Sequence, residues 1–511
     1  MNEITIGVEP LTEQQVLAIA RDDARVRLSD EARKAIGASR DIIEALAGDA
    51  EPHYGISTGF GALATKQIAP HDRTALQRSL IRSHAAGSGA EVEREVVRAL
   101  MLLRLSTLAT GRTGVRLETA ETYAAMLNAG ITPVVYEFGS LGCSGDLAPL
   151  AHCALAAMGE GTVRVGDDVR PAADALAAAG ITPVVLREKE GLALTNGVDG
   201  MLGMLTLATC DLALLFRTAD LAAAMSVEAQ LGTDAVFAAD LQELRPHPGQ
   251  ADSAANLRAL LAGSAIMASH RTGDCTRVQD AYSLRCSPQV HGAGRDTLAH
   301  ARLVRDRELA SAVDNPVVTL DGRVESNGNF HGAPVGYVLD FLAIAAADLA
   351  SIAERRTDRF LDRARNHGLP PFLADDPGVD SGYMIAQYTQ AALVSELKRL
   401  AVPASVDSIP SSAMQEDHVS MGWSAARKLR RAVDALTQVL AIEILTAARA
   451  LDLRSPLTPA PATAAARDAL RQKVPGPGPD RYLAPDIAAT VELVRSGCLI
   501  AAAQAVCGPL R

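Results

Sequence analysis

From residue 200 onward, apolar residues recur at helical spacing in long runs: 201–229, 252–268, 294–313, 335–363, 380–400, 421–451 and 484–505. Several runs exceed 20 residues. Helices of that length in a globular chain need other helices alongside them, so the pattern predicts a bundle. Aromatic residues make up only 3%, while Ala and Leu are abundant. Such a mixture packs helices through small side chains and disfavours β-sandwiches. A chain of 511 residues exceeds one compact core. We divide it into an N-terminal region, 1–200, and a helical-bundle region with C-terminal helices, 201–511. The apolar stretch Val335–Ala353 is interrupted by Asp340 and Asp348. It reads as a buried bundle helix and not as a membrane span.

The connectors 245–250, 286–294, 325–334 and 403–415 are rich in Gly, Asn and Pro, and 455–485 is a Pro-rich surface excursion. Before residue 200, the first 50 residues read as short helical segments of mixed charge. Residues 53–65 (HYGISTGFGALAT) form a glycine-rich loop. Helical spacing returns over 93–109 and 118–128. The stretches at 131–139 and 181–191 both open Ile-Thr-Pro-Val-Val and read as short strands or extended connectors.

The net charge of −11 argues against a nucleic-acid partner. Seven cysteines, at 143, 153, 210, 275, 286, 498 and 507, include no Cys-x-x-Cys pair. That pattern predicts neither a disulfide framework nor a zinc ribbon, and it points to a reducing cytoplasm. The opening MNEITIGVEPLTEQQ has no basic flank before an apolar core, so no secretory leader is expected.

The most informative short stretch is GSLGCSGDLAPLAH, residues 139–152. One reading is a helix start, with Ser144 or Asp146 as cap and Pro149 in the first turn. It accounts for Asp146 and Pro149 but not for Gly-Cys-Ser-Gly. A nucleophile elbow needs Gly-x-Ser-x-Gly, and Asp146 stands where the last Gly belongs. A Cys143 thiolate at a helix N-terminus is a third reading, with no neighbouring His to support it. The fourth uses the backbone. The Gly145 nitrogen attacks the Cys143 carbonyl carbon, and loss of water closes a five-membered ring. Loss of the Ser144 hydroxyl then leaves an exocyclic methylene. Gly145 offers the attacking nitrogen the least hindrance. The product is a methylidene-imidazolone, an electrophile that no ordinary side chain provides.

This stretch resembles the signature of the aromatic amino acid ammonia-lyases, whose usual tripeptide is Ala-Ser-Gly. Cys143 replaces Ala, a tolerable change because that residue gives its carbonyl to the ring and its side chain hangs outside. The resemblance covers nearly the whole chain. It implies a mainly α fold: a long central helical bundle with an N-terminal region carrying the methylidene-imidazolone group. It also implies a homotetramer whose active sites mix residues from neighbouring subunits, with no external cofactor, no required metal and no membrane.

The remaining motifs are read through the same resemblance. Tyr54 in YGISTGFG would be the base that removes the β-proton; without it the stretch is a Gly-rich surface loop. The Ser83-His84 pair occupies a position that varies with substrate in the family, and this pair suits L-histidine. His84 could hydrogen-bond an imidazole. Asn196 would hydrogen-bond the prosthetic group and the substrate's carboxylate region, although Asn-Gly alone is only a turn. In VQDAYSLRC, Gln279, Tyr282 and Arg285 would contact substrate. Tyr282 and Arg285, three apart, would share a helical face, and Arg285 would clamp the carboxylate bidentately. Phe330 would line the pocket. Glu416, in Gln415-Glu416, would accept an N–H from the imidazole, where the phenylalanine and tyrosine enzymes carry Asn-Gln. His418 beside Glu416 and Asp417 brings a metal site to mind, but no second His lies at helical spacing. Asp146 would assist ring closure or hold its geometry. The implied reaction is elimination of ammonia from L-histidine to give urocanate. An aminomutase or a phenylalanine- or tyrosine-directed lyase is the nearest alternative, and a non-catalytic helical scaffold is the alternative of another class.

Overall fold

The computed structural model describes residues 3–49, 51–271 and 278–511; Cys275 lies outside them. The protein is mainly helical. Four helices dominate: Asp199–Ala229, Ser287–Leu309, Ala333–Leu361 and Gly422–Asp452, of 31, 23, 29 and 31 residues. The strands described are two to four residues long and form four small sheets.

The chain divides into two compact units. Unit 1 comprises Met1–Leu207, Arg302–Asp340 and Pro403–Arg427, and unit 2 comprises Ala208–Ala301, Phe341–Val402 and Lys428–Arg511.

Unit 1 holds every strand described. The first 50 residues are not purely helical. Strands Glu3–Ile6 and Arg25–Leu28 pair in parallel, with helices Glu13–Ala20 and Asp30–Ala47 following them. Alternating burial along Arg25–Leu28 shows why a helical reading fails there: Val26 and Leu28 face inward and the arginines outward. Ile131–Pro133 joins a three-stranded antiparallel sheet with Thr162–Val165 and Asp168–Pro171. Its sequence look-alike at 181–187 forms no strand. Helix Arg94–Ala109 is buried along nearly its whole length and includes the fully buried Arg98 and Arg104.

Unit 2 packs its portions of the four long helices around buried polar knots. Glu443 accepts from Arg356 Nη2 at 3.0 Å and from Ser226 Oγ at 2.8 Å, while Arg356 also reaches Ser287 Oγ at 3.3 Å. Asp220 accepts from Ser253 Oγ, His291 Nδ1, Asn256 Nδ2 and Arg295 Nη2. Each buried carboxylate is thus paired and hydrogen-bonded.

Several expected boundaries move. The 252–268 run stops at Leu261, and Ser264 caps a separate turn, Ala265–Ala268, through the Met267 N–H. The 286–294 connector is instead the start of helix Ser287–Leu309. Its glycines are packing positions: a Cβ on Gly292 would lie 2.4 Å from the Gln250 backbone, and one on Gly294 2.4 Å from Phe216. The 484–505 run bends by 59° where Gly497 adopts φ +70° between helices Ala484–Arg495 and Cys498–Cys507. The Pro-rich 455–485 segment contains a helix, Pro461–Arg471, with Pro461 in its first turn.

Candidate active site

The stretch 139–146 is fastened by backbone and buried hydroxyls of unit 1. The Gly142 carbonyl accepts from Ser420 Oγ at 2.6 Å and from the Gly332 N–H at 3.0 Å. The Leu141 carbonyl accepts from Met421 N–H at 2.9 Å. Gly145 runs beside Gly197 in a parallel bridge, and Asp146 N–H donates to the Gly197 carbonyl at 2.7 Å. Gly145 has φ +92°, and a Cβ there would sit 2.2 Å from the Gly197 oxygen. Only glycine fits this position. A Cys-Ser-Gly turn pinned on both sides, with no side chain on the third residue, suits ring closure by the Gly145 nitrogen.

Asp146 occupies the N-cap position of helix Leu147–Ala157 but makes no side-chain cap there. Its carboxylate instead caps the next long helix. Oδ2 accepts from Gly200 N–H at 2.9 Å and Met201 N–H at 3.0 Å, and Oδ1 accepts from Ser140 Oγ at 2.9 Å. The expected local cap is therefore corrected: the side chain is turned into the core, where it finds three donors. Burial, with Asp199 nearby, pushes the Asp146 carboxyl up to about 7.

The Cys143 thiolate alternative, which has no neighbouring His in the sequence, gains no support from the structure either. Burial and the adjacent Glu416 carboxylate push the thiol up to about 12, the opposite of what a helix dipole alone would do.

A cavity of about 520 Å³ brings together Tyr54, Cys143, Ser144, Phe330 and Glu416, along with Asn315, Asn327, His331 and Gln415. The Tyr54 hydroxyl oxygen accepts the Gly61 N–H at 3.3 Å. Glu416 arrives on a strained loop. Ser412, Ala413 and Met414 have φ of +51°, +52° and +70°, and Ser411 and Glu416 close the loop by exchanging backbone hydrogen bonds. Glu416 Oε1 accepts from Ser144 Oγ at 2.8 Å. Its Oε2 accepts from Cys143 Sγ at 3.2 Å and Ser411 Oγ at 3.0 Å.

His84 ends helix Arg73–His84, with Nδ1 3.1 Å from Ser83 Oγ. Burial holds its imidazolium below the ordinary value, opposed by the Leu80 carbonyl and by the charge of Glu416. Asn196 is buried, and its Nδ2 donates to the Asn315 carbonyl at 3.1 Å. Arg104 supports it from beneath: Nη1 donates to the Ala193 and Asn196 carbonyls, and Nη2 to the Val313 carbonyl at 2.9 Å.

Gln279, Tyr282 and Arg285 belong to unit 2. Tyr282 and Arg285 begin and end one helical turn, and the Arg285 guanidinium lies 4.7 Å from the centre of the Tyr282 ring. Tyr282 is 70% exposed, and Arg285 Nε has no hydrogen-bond partner among the described residues. His331 and His418 stack in parallel planes 5.7 Å apart, and His331 Nε2 lies 3.1 Å from the His418 carbonyl. Among the described residues, no group of three or more His, Cys, Asp or Glu is arranged to hold a metal ion.

Sequence reasoning missed Ser411, Ser140, Asn315 and His331. Ser411 sits in a run of small polar residues with no periodic signal, so nothing in the sequence singles it out as a partner of Glu416.

A family model described as aromatic amino acid lyase matches residues 11–472. The histidine ammonia-lyase of Streptomyces avermitilis is 68% identical over 100% of both chains. Among solved structures, the tyrosine aminomutase of Streptomyces globisporus superposes with a TM-score of 0.93 at 38% identity, covering 100% of each chain. The histidine ammonia-lyase of Trypanosoma cruzi superposes with a TM-score of 0.91 at 38% identity, covering 99% of this chain and 95% of that one. Full-length identity, shared fold and the pinned Cys-Ser-Gly turn agree: the chain belongs to the aromatic amino acid lyase family.

Proposed function

We propose that this chain is a histidine ammonia-lyase, which eliminates ammonia from L-histidine without oxidation and releases trans-urocanate, the first step of histidine degradation. The observation that carries the reading is a carboxylate, Glu416, in the same cavity as Ser144 and Tyr54. An imidazole N–H finds an acceptor there, whereas a phenyl ring offers it nothing. The 68% identity to a histidine ammonia-lyase supports the same substrate.

The family uses a methylidene-imidazolone group, and the pinned turn at 143–145 fits it. Cys143, Ser144 and Gly145 are the residues that form it, and no external cofactor or metal is required. Once formed, the group would supply an electrophilic carbon toward the substrate amine, the chemistry that would make ammonia a competent leaving group.

The chain's own residues do the rest. Tyr54 removes the β-proton. Glu416 accepts the imidazole N–H, His84 stands beside it, and Phe330 forms a wall of the pocket. Asn196 hydrogen-bonds the prosthetic group and the carboxylate end of the substrate. Gln279, Tyr282 and Arg285 complete the site, with Arg285 clamping the carboxylate. Holding both ends of the substrate aligns its β C–H with Tyr54, and that alignment supplies much of the rate. The exposed Tyr282 side chain, with Arg285 over its ring, suits residues that meet the site of a neighbouring copy in a cytoplasmic homotetramer. In this arrangement 1–200 carries the prosthetic group and 201–511 the bundle.

The test is ultraviolet absorbance after adding L-histidine, L-phenylalanine or L-tyrosine. Urocanate absorbance rising with L-histidine alone supports the reading. A cinnamate or coumarate signal, or a β-amino acid product detected by mass, moves the chain to another member of the family.

A further inference from the structure

Among the described residues, three side chains of the uncyclised chain donate to the Glu416 carboxylate. Ser144 Oγ sits on Oε1, while Cys143 Sγ and Ser411 Oγ share Oε2. The two carboxylate oxygens are therefore not equivalent. Formation of the prosthetic group removes two waters. The first carries the Cys143 carbonyl oxygen with the amide hydrogens of Ser144 and Gly145. The second carries Ser144 Oγ with its own hydrogen and the Ser144 Cα hydrogen. Neither step removes the Cys143 thiol or the Ser411 hydroxyl. After both, Oε2 keeps its two donors and Oε1 has lost its donor.

We infer that the Ser144 hydroxyl occupies the very oxygen of Glu416 that accepts the substrate imidazole, so that forming the prosthetic group also opens the imidazole site. The inference rests on the reading of Glu416 as the imidazole acceptor. Ser144 and Glu416 both line the cavity, and Oε1 is the carboxylate oxygen that the Ser144 hydroxyl reaches. A hydrogen bond to a charged group holds strongly enough to make displacement costly. Cys143 and Ser411 become positioning residues: they fix the carboxylate through Oε2 and keep Oε1 turned to the cavity. This gives the Cys143 thiol a role that an Ala-Ser-Gly tripeptide lacks. A thiol pushed up to about 12 remains a donor and does not become a second anion beside Glu416.

The experiment measures binding of L-histidine by calorimetry to Ser144→Ala and Ser144→Thr chains, each with and without Glu416→Ala. Intact mass reports whether the hydroxyl is present in each variant, and thermal unfolding shows that each is folded. Ser144→Gly is a second hydroxyl-free chain should Ser144→Ala fail to fold. Affinity should follow the hydroxyl: the hydroxyl-free chain binds about tenfold or more tightly than the chain that keeps it. Adding Glu416→Ala should weaken the hydroxyl-free chain and erase the difference. A steric effect of the threonine methyl would persist without Glu416 and is separated in this way. Equal affinities, with Glu416→Ala weakening both, overturn this inference alone. If Glu416→Ala leaves the hydroxyl-free chain unchanged, the reading of Glu416 as imidazole acceptor falls and the inference with it.

Discussion

Replacing Gly145 by alanine isolates how far the fold depends on one missing side chain. Two costs add. Alanine at φ +92° is in the left-handed region, which costs about 1–2 kcal/mol. Its Cβ would also lie 2.2 Å from the Gly197 oxygen and 2.3 Å from the Gly197 nitrogen, so backbone must move. That movement breaks the buried hydrogen bond from Asp146 N–H to the Gly197 carbonyl, for about 1–3 kcal/mol more. The total is about 2–5 kcal/mol, a large part of a typical folding free energy of about 5–15 kcal/mol. Gly130→Ala is the control. It has φ +67° with nothing within 4 Å of the new Cβ, so only the conformational cost applies. Urea unfolding, with both variants at the same protein concentration, measures the two losses. Gly145→Ala should lose clearly more stability than Gly130→Ala and should retain the mass of both waters. Equal losses in the two variants would refute the argument that the Gly145–Gly197 approach is what demands glycine.

Other consequences are more local. The Asp146 carboxyl is pushed up to about 7 by burial, so the folded state holds its proton more tightly than the unfolded chain. Its contribution to stability is full below about pH 4 and is lost as pH rises toward about 7; Asp146→Asn should flatten that part of a stability-against-pH curve. The Cys143 thiol, pushed up to about 12, should resist iodoacetamide in the folded protein while the exposed Cys498 reacts, as peptide mapping after brief labelling can show. Glu443→Gln leaves the fully buried Arg356 without its anion and should cost about 3–5 kcal/mol in urea unfolding.

Much of the fold was legible because long helices carry their own signal. Apolar residues at helical spacing located all four dominant helices. What failed was punctuation. Gly292 and Gly294 resemble loop residues, but they sit inside a helix because Gln250 and Phe216 press against it. Gly497, embedded in an apolar run, ends a helix because it takes a left-handed conformation. The 131–139 stretch, read as strand or connector, does hold two short strands, Ile131–Pro133 and Tyr136–Phe138; the others were missed because two to four residues are too few to establish an alternating pattern.

The site was legible as motifs and not as geometry. Tyr54, Ser144, Phe330 and Glu416 are far apart in sequence and share one cavity. Asp146 reads as a cap of the helix that follows it, and no sequence pattern reveals that its carboxylate caps the helix starting at Asp199 instead. Ser411 was invisible for the same reason: its partnership with Glu416 depends on three successive left-handed residues, none of them glycine.

The central claim is that this chain makes its own electrophile from Cys143, Ser144 and Gly145. Intact mass, with peptide mapping across residues 140–152, tests it most directly. The account predicts a deficit equal to two waters, confined to that peptide and absent from Ser144→Ala. A full-mass peptide from an enzyme that turns over L-histidine would contradict it.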